Sequence, residues 1–272
     1  MGATPFVDQS GFTCRVFLPA MRIVSLVPSQ TELLFYLGLD AQVVGVTKFC
    51  VHPAKARTNC TVVGGTKNPD VEVIRHLKPD LIIGNKEEND QATIEALRAE
   101  FPVWLSDIFS IPDALDMIQT IGRLTGKEPQ AVRLVAHIRT AFARMPFFRG
   151  QRVLYLIWRK PWMAAGTQTF IHAVIEAAGC TNVVKQPRYP EYSVDTLAQL
   201  HPEFVFLSSE PYPFGTKHMA EVAAMFPTAQ VVLVNGEMFS WYGSRLLATP
   251  DYLEELYRRV IPTFATSSQK EG

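Results

Sequence analysis

Cys50 and His52 stand two residues apart in Lys48-Phe49-Cys50-Val51-His52-Pro53. A thiolate and an imidazole suit a soft metal such as zinc, which takes four N or S ligands in a structural site. The other histidines are scattered and no second tight cluster completes the set; His172 is one candidate from further along the chain. Cys50 and His52 are therefore candidate metal ligands, with a buried thiol beside a loop imidazole as the alternative reading. The cysteines Cys14, Cys50, Cys60 and Cys180 form no C-x-x-C pair, and sparse cysteine in a chain of this length predicts buried thiols rather than a disulfide framework.

Other chemistry is hard to find. Gly122-Arg123-Leu124-Thr125-Gly126-Lys127 is one residue short of a phosphate loop, and Glu128 stands where Ser or Thr would hold magnesium. Gly126 reads instead as a helix terminator. Gly64-Gly65-Thr66-Lys67 is a short glycine turn. The chain has no G-x-S-x-G, H-E-x-x-H or G-x-G-x-x-G motif, which predicts a protein that is not an enzyme and needs no obligatory cofactor. The 26 basic residues balance 26 acidic ones, so no basic face for nucleic acid is expected. No apolar run reaches the roughly 20 residues that span a bilayer. Asp8, Gln9, Ser10 and Arg15 interrupt residues 1–21, so these do not read as a signal peptide, and no hydrophobic segment precedes Cys14 to make it a lipoprotein cysteine.

The aromatic residues carry more information. Tyr155, Trp158, Trp162, Tyr189, Tyr192, Trp241 and Tyr242 fall beside expected strand ends and loops. In open parallel sheets a ligand sits outside the carboxyl ends of the strands. Amphipathic rings there would pack a flat ligand, with Arg159, Arg188 or Arg245 meeting its acidic groups. Packing within the protein is the alternative use for such rings.

The elements that would position these residues repeat. Leu77-Lys78-Pro79-Asp80-Leu81-Ile82-Ile83 recurs as Leu200-His201-Pro202-Glu203-Phe204-Val205-Phe206, and Glu87 follows Asp80 by the spacing at which Glu210 follows Glu203. Ile94 to Pro102 echoes Met219 to Pro227, Asp107-Ile108-Phe109-Ser110 echoes Glu237-Met238-Phe239-Ser240, and Arg22 to Val27 echoes Arg152 to Ile157. Four echoes in one order predict two similar halves. Within each, short apolar runs alternate with helical patterns, which predicts an α/β fold of two Rossmann-like lobes with parallel sheets. Strands are expected near 22–27, 43–46, 81–84 and 103–105, then near 152–157, 163–165, 204–208 and 230–234. Ser29 and Glu32 read as a capping box for the first helix, ended by Gly38. Ala131, Val135, Ile138, Phe142 and Met145 form one helical face, predicting a long connecting helix. The expected division is an N-terminal extension over 1–21, lobe 1 over 22–126, the connecting helix over 127–148, lobe 2 over 149–262 and a tail over 263–272.

Arg22-Ile23-Val24-Ser25-Leu26-Val27-Pro28-Ser29-Gln30-Thr31-Glu32-Leu33, the Leu77–Ile83 segment and the connecting helix resemble the helical-backbone (class III) substrate-binding proteins of ABC importers. The likeness runs over about residues 21–260 and is nearest to the cobalamin-binding branch. It implies a monomeric receptor that captures a corrinoid, haem or a ferric siderophore between two lobes and delivers it to an ABC permease. Ligand contacts are then expected from Ser29, Gln30, Lys48, Phe49 and Cys50 on one side, and from Trp158, Trp162, Arg188, Tyr189, Trp241, Tyr242 and Arg245 on the other. The family docks through an acidic residue on each lobe, which implies Glu87 or Glu88 with Glu210. It also implies a periplasmic or cell-envelope location, with the cytoplasm as the alternative. A rival reading keeps the scaffold but makes the chain an intracellular metal- or corrinoid-handling protein using Cys50 and His52.

Overall fold

The structure is a computed structural model that describes residues 2–267. The chain forms two compact units. The first holds the residues up to Ile108, with Pro112–Ile138 and Tyr242–Arg245; the second holds Phe109–Ile111, Arg139–Trp241 and the residues from Leu246.

The first unit opens with an antiparallel hairpin, β1 (Thr4–Val7) and β2 (Thr13–Val16). Its sheet comprises β3 (Ile23–Ser25), β4 (Val43–Val46), β5 (Thr61–Val62), β6 (Leu81–Asn85) and β7 (Val103–Ser106), all parallel and in the order β5-β4-β3-β6-β7. The helices are α1 (Pro28–Tyr36), α2 (Ala56–Asn59), α3 (Val71–Leu77), α4 (Gln91–Arg98), α5 (Ile111–Leu124) and α6 (Glu128–Phe142). The apolar runs expected as strands are β3, β4, β6 and β7. Residues of β3, β6 and β7 pack with Ile74, Ile94 and Leu97 of the covering helices, which is why these strands read as continuous apolar runs.

In the second unit, β8 (Arg152–Trp158), β9 (Trp162–Ala164), α7 (Phe170–Ala177), β10 (Thr181–Asn182), β11 (Glu191–Tyr192), α8 (Val194–Ala198), β12 (Phe204–Ser208), α9 (Thr216–Met225), β13 (Gln230–Val234), α10 (Glu237–Ser240) and α11 (Thr249–Ser267) follow in order. The sheet runs β11-β9-β8-β12-β13, with β10 also on β8. Here the expectation of a parallel sheet is corrected: β9 is antiparallel to β8 and β11 antiparallel to β9. Only Arg159, Lys160 and Pro161 join β8 to β9, and so short a link permits only a hairpin.

The internal echo has a physical basis in each unit. The Asp80 carboxylate accepts the backbone N–H of Arg22 at 2.8 Å, and Glu203 accepts that of Arg152 at 2.8 Å. The Arg22 guanidinium donates to the Leu77 carbonyl at 2.6 Å, and that of Arg152 donates to the Leu200 carbonyl at 2.7 Å. Lys78 and His201, at φ 47° and 45°, turn the chain out of the preceding helix in the left-handed region before proline stops it.

Three details differ from the sequence reading. Ser29 does not cap α1: Val27 is the N-cap and Pro28 occupies the first turn, so no side chain caps it, and Glu32 pairs with Arg245 instead. Gly38 does leave the helix at φ 75°. The helix expected over 127–148 is α6, which ends at Phe142; it buries Ala131, Leu134, Val135 and Ile138, and the boundary between the units falls within it. Of the tail expected over 263–272, residues up to Ser267 belong to α11 and 268–272 lie outside the described residues.

Residues 2–21 are integral to the first unit. Gln9 N–H donates to the Leu105 carbonyl at 3.0 Å, along the outer edge of β7. Asp8, 4% exposed, accepts the N–H groups of Ser10 and Phe12 at 2.9 Å each and pairs with Arg98 of α4. The hairpin thus covers a strand edge that would otherwise invite pairing with another chain. Asp8→Ala leaves Arg98 half-buried without its carboxylate, and should lower stability by about 3 kcal/mol. Urea unfolding followed by circular dichroism measures this; an unchanged midpoint would show the hairpin to be dispensable.

Candidate functional site

In the first unit the carboxyl ends of β3, β6 and β7 meet in a buried polar network. Ser106 Oγ accepts from Gln30 Nε2 at 2.5 Å and from Asn85 Nδ2 at 3.0 Å, and donates to the Gly84 carbonyl at 3.2 Å. Asn89 ties the loops together: its Oδ1 accepts the Asn85 N–H at 2.8 Å, and its Nδ2 donates to the Thr66 carbonyl at 2.9 Å. Asn85 Oδ1 receives the N–H groups of Glu87 and Glu88 at 2.8 and 3.0 Å, which sets the turn carrying both glutamates.

Lys48 and Phe49 leave the end of β4 exposed, with the Lys48 ammonium 5.1 Å from the Phe49 ring centroid and the ring 51% exposed. Cys50 behaves differently. Its side chain is fully buried, with Sγ 3.1 Å from Thr31 Oγ1 and 3.3 Å from Thr47 Oγ1. Burial pushes its thiol above the ordinary range, opposed by those two hydroxyls. An enclosed thiol of this kind weighs against Cys50 as a reactive group. Among the described residues no group of three or more His, Cys, Asp or Glu is placed to hold a metal ion, so Cys50 and His52 gain no third ligand.

Ser29 and Gln30 are buried in the first turn of α1, at 4% and 0% exposure. Tyr242 and Arg245 belong to this unit. The Tyr242 hydroxyl donates to Glu88 Oε1 at 2.7 Å, and burial holds the phenol well above its usual range, with Glu88 adding to the effect. Arg245 meets both oxygens of Glu32 at 2.7 and 3.1 Å.

In the second unit Trp158 extends from the end of β8, 38% exposed, with Tyr212 edge-on behind it at 5.6 Å. Arg188 and Tyr189 lie half-buried in the loop before β11. Arg188 adopts φ 65°, stacks its guanidinium 4.9 Å from the Phe109 ring and donates to the Gln168 carbonyl at 3.0 Å. A non-glycine residue held there is one mark of a functional position. Trp162 is turned inward and stacks on Phe214 at 6.3 Å. Trp241 is also buried, and its ring N–H donates to Glu210 Oε1 at 3.0 Å; Ser240 donates to the same oxygen at 2.7 Å.

Lys48, Phe49 and Trp158 are thus exposed at the ends of β4 and β8, and Arg188 and Tyr189 lie half-buried in the loop before β11. Ser29, Gln30, Cys50, Trp162, Trp241 and Tyr242 are buried, and Arg245 is half-buried. Glu87, Glu88 and Glu210 are half-buried, and the last two are bound by Tyr242 and by Trp241 with Ser240, which is unlike a free docking surface. Sequence reasoning missed Asn85 and Ser106, and it missed Phe109 beneath Arg188. Asn85 and Ser208 end the repeated strands at equivalent places, which was the available signal.

Residues 23–225 match the periplasmic binding protein family. The chain belongs to that family. It is a binding protein rather than an enzyme. A cobalamin-binding protein of Halobacterium salinarum is 29% identical over 194 residues, covering 68% of this chain and 53% of the relative; the chain thus spans about half the length of that curated relative. Among solved structures, the periplasmic vitamin B12 binding protein BtuF of Vibrio cholerae shares the fold at a TM-score of 0.73 and 22% identity, covering 89% of this chain and 98% of that one. A periplasmic heme binding protein from Pseudomonas aeruginosa does so at a TM-score of 0.77 and 21% identity, covering 89% and 94%. Among the described residues no helix is long and apolar enough to cross a membrane.

The cysteines give two measurable consequences. All four are buried and unbridged, so native protein should show no fast thiol reaction with Ellman's reagent at about pH 8, while unfolded protein should react fully; a fast native thiol at Cys50 would restore it as a reactive group. Burial also raises Cys14 and Cys60 from 9.0 to about 11. A raised folded value means that their contribution to stability is complete below pH 9 and is lost as pH rises towards 11. Denaturant midpoints across that window should fall more steeply for the native sequence than for the Cys14→Ser/Cys60→Ser variant; identical slopes would exclude these thiols as the cause.

Proposed function

We propose that this chain is the substrate-binding protein of an ABC importer, that it takes a corrinoid of the cobalamin type or another metal chelate such as haem or a ferric siderophore, and that it works outside the cytoplasm. One observation carries the ligand class. At the end of β4 the first unit exposes the Phe49 ring with the Lys48 ammonium 5.1 Å from it, and at the end of β8 the second exposes the Trp158 ring backed by Tyr212. Flat macrocycles pack on such rings, and acidic peripheral groups meet such cations. The names of the relatives agree with this reading. The rival use of Cys50 and His52 for metal handling in the cytoplasm is disfavoured by the enclosure of Cys50 between Thr31 and Thr47.

Delivery to the permease calls for exposed acids at equivalent places. The offset that maps Pro79 onto Pro202 also maps Glu72 onto Asp195, and the helix caps Asp70 onto Ser193. Both acids are exposed in the first turn of their helices, Glu72 with its side chain 70% exposed and paired with Arg75. They suit docking to a two-fold symmetric partner better than Glu87, Glu88 and Glu210.

A thermal-shift screen with cyanocobalamin, dicyanocobinamide, hemin and ferric siderophores should raise the melting temperature with at least one, since a ligand stabilises the state it binds; no shift with any would sink the ligand class. Phe49→Ala and Trp158→Ala should each weaken binding on the order of tenfold. The Glu72→Lys/Asp195→Lys pair should abolish uptake in a transport assay while leaving ligand affinity intact. Loss of affinity in that pair would point to misfolding, and unimpaired uptake would remove these residues from docking.

A further inference from the structure

His218 occupies the third position of α9 and is 5% exposed. Its Nδ1 accepts the backbone N–H of Gly215, the N-cap residue, at 2.9 Å, and its Nε2 lies 3.2 Å from the Tyr212 hydroxyl. The ring is edge-on to Tyr212 at 5.4 Å and to Phe214 at 5.5 Å. The residue at this helix position that reaches back to the N-cap N–H is ordinarily Glu or Gln, which remain acceptors at any neutral or mildly acid pH. An imidazole accepts at Nδ1 only while that nitrogen carries no proton. Accepting there also fixes the tautomer, with the proton on Nε2 facing Tyr212.

Protonation would set one N–H against another and place a positive charge in the first turn of α9, where the helix dipole is already positive. The Glu221 carboxylate attracts the charged ring and offsets this in part. Glu221, one turn along α9, is held by Arg159 from the β8–β9 loop at 2.9 and 3.0 Å, and Lys160 of the same loop also acts on it. Lys217 precedes His218 on the helix and is exposed. Tyr212 contributes a neutral phenol.

The segment closed by this bond is also tied by Tyr212 N–H to the Ile157 carbonyl at 3.4 Å and by Phe214 N–H to the Ser208 carbonyl at 3.3 Å. Tyr212 stands behind Trp158 at 5.6 Å, and Glu210 is bound by Trp241 and Ser240. We propose that His218 is a pH-operated cap: neutral, it seats the Glu210–Gly215 loop and with it the backing of Trp158; protonated, it releases the loop and weakens ligand binding. The effect on ligand rests on the reading of Trp158 as a ligand-facing ring, whereas release of the loop does not.

Two readouts separate these. In the ligand-free full chain, acrylamide quenching of Trp158, taken as the difference from Trp158→Phe, should rise as pH falls from about 8 to about 5, the interval in which imidazoles titrate. His218→Gln keeps an acceptor that does not titrate and should remove the transition; His218→Glu, which restores the usual capping residue, should do the same if the first variant folds poorly. Titrations with cyanocobalamin and hemin should show wild-type affinity falling on the order of tenfold over that interval, the scale of one lost helix cap, and little change in either variant. Trp158 quenching that is flat in wild type, or that titrates alike in the variants, overturns the cap. Failure of both ligands to bind at every pH, with the quenching transition intact, counts against the ligand reading alone.

Discussion

At the amino-terminal edge of each sheet a carboxylate and an arginine close the same lock. Asp80 and Glu203 accept the backbone N–H of the arginine that enters the central strand, while the guanidinium of that arginine covers carbonyls at the end of the preceding helix. These are charge-assisted bonds to backbone groups that would otherwise lack partners. They set where β3 stands against β6 and β8 against β12. In a parallel sheet, pinning strands at one edge decides which residues emerge at the other, where ligands are received. The positions of Glu88, Trp158 and Glu210 follow from a register held at the opposite end.

That lock is also why so much of the fold was legible in one sequence. Its parts are short, local and repeated, so Lys-Pro-Asp and His-Pro-Glu before apolar runs could be matched without any structure. The apolar face of α6 was equally plain, because burial leaves a period of three and four. Other features escaped because their cause is not local. The hairpin of residues 4–16 is stabilised by Asp8 reaching Arg98 and by Gln9 reaching Leu105, partners some ninety residues away. Ser29 has the composition of a cap, yet Pro28 already occupies the first turn and moves the cap to Val27. The antiparallel β9 and β11 are short strands, whose direction depends on loop length more than on composition.

The candidate site was less legible for a further reason. Tryptophan and tyrosine at strand ends have two uses that look the same in sequence: their faces can meet a ligand, or their polar tips can serve the protein's own half-buried acids. A carboxylate partly withdrawn from water needs donors. Tyr242 and Trp241 supply them to Glu88 and Glu210, so these rings stand where a ligand-binding pattern predicts them while doing a different task. Trp158 is distinguished by its exposure and by a supporting ring, Tyr212, whose own contacts lead to His218. The repeated glutamates are symmetric in sequence but half-buried, whereas Glu72 and Asp195 are symmetric and exposed.

What remains at the strand ends of the first unit is a surface ordered before any ligand arrives. Ser106 Oγ has both of its acceptor sites and its one proton engaged, by Gln30, Asn85 and the Gly84 carbonyl, which exhausts what a hydroxyl can do. Asn89 bonds to Asn85 and Thr66 together, so the loop after β6 is fastened to the one after β5. Such a buried network is stiff, since moving Ser106 or Asn89 strands a buried donor or acceptor, although Gln30 Oε1 has no partner in it. Phe49 and Lys48 therefore project from loops whose neighbours are already fixed, and the entropy of ordering that surface is lost at folding rather than at binding. In the second unit the loop behind Trp158 is held by Tyr212 N–H on the Ile157 carbonyl at 3.4 Å, by Phe214 N–H on the Ser208 carbonyl at 3.3 Å, and by the imidazole bond to Gly215. Of the two surfaces, one is built on amides and a serine hydroxyl, and the other is backed by a loop that an imidazole helps to seat.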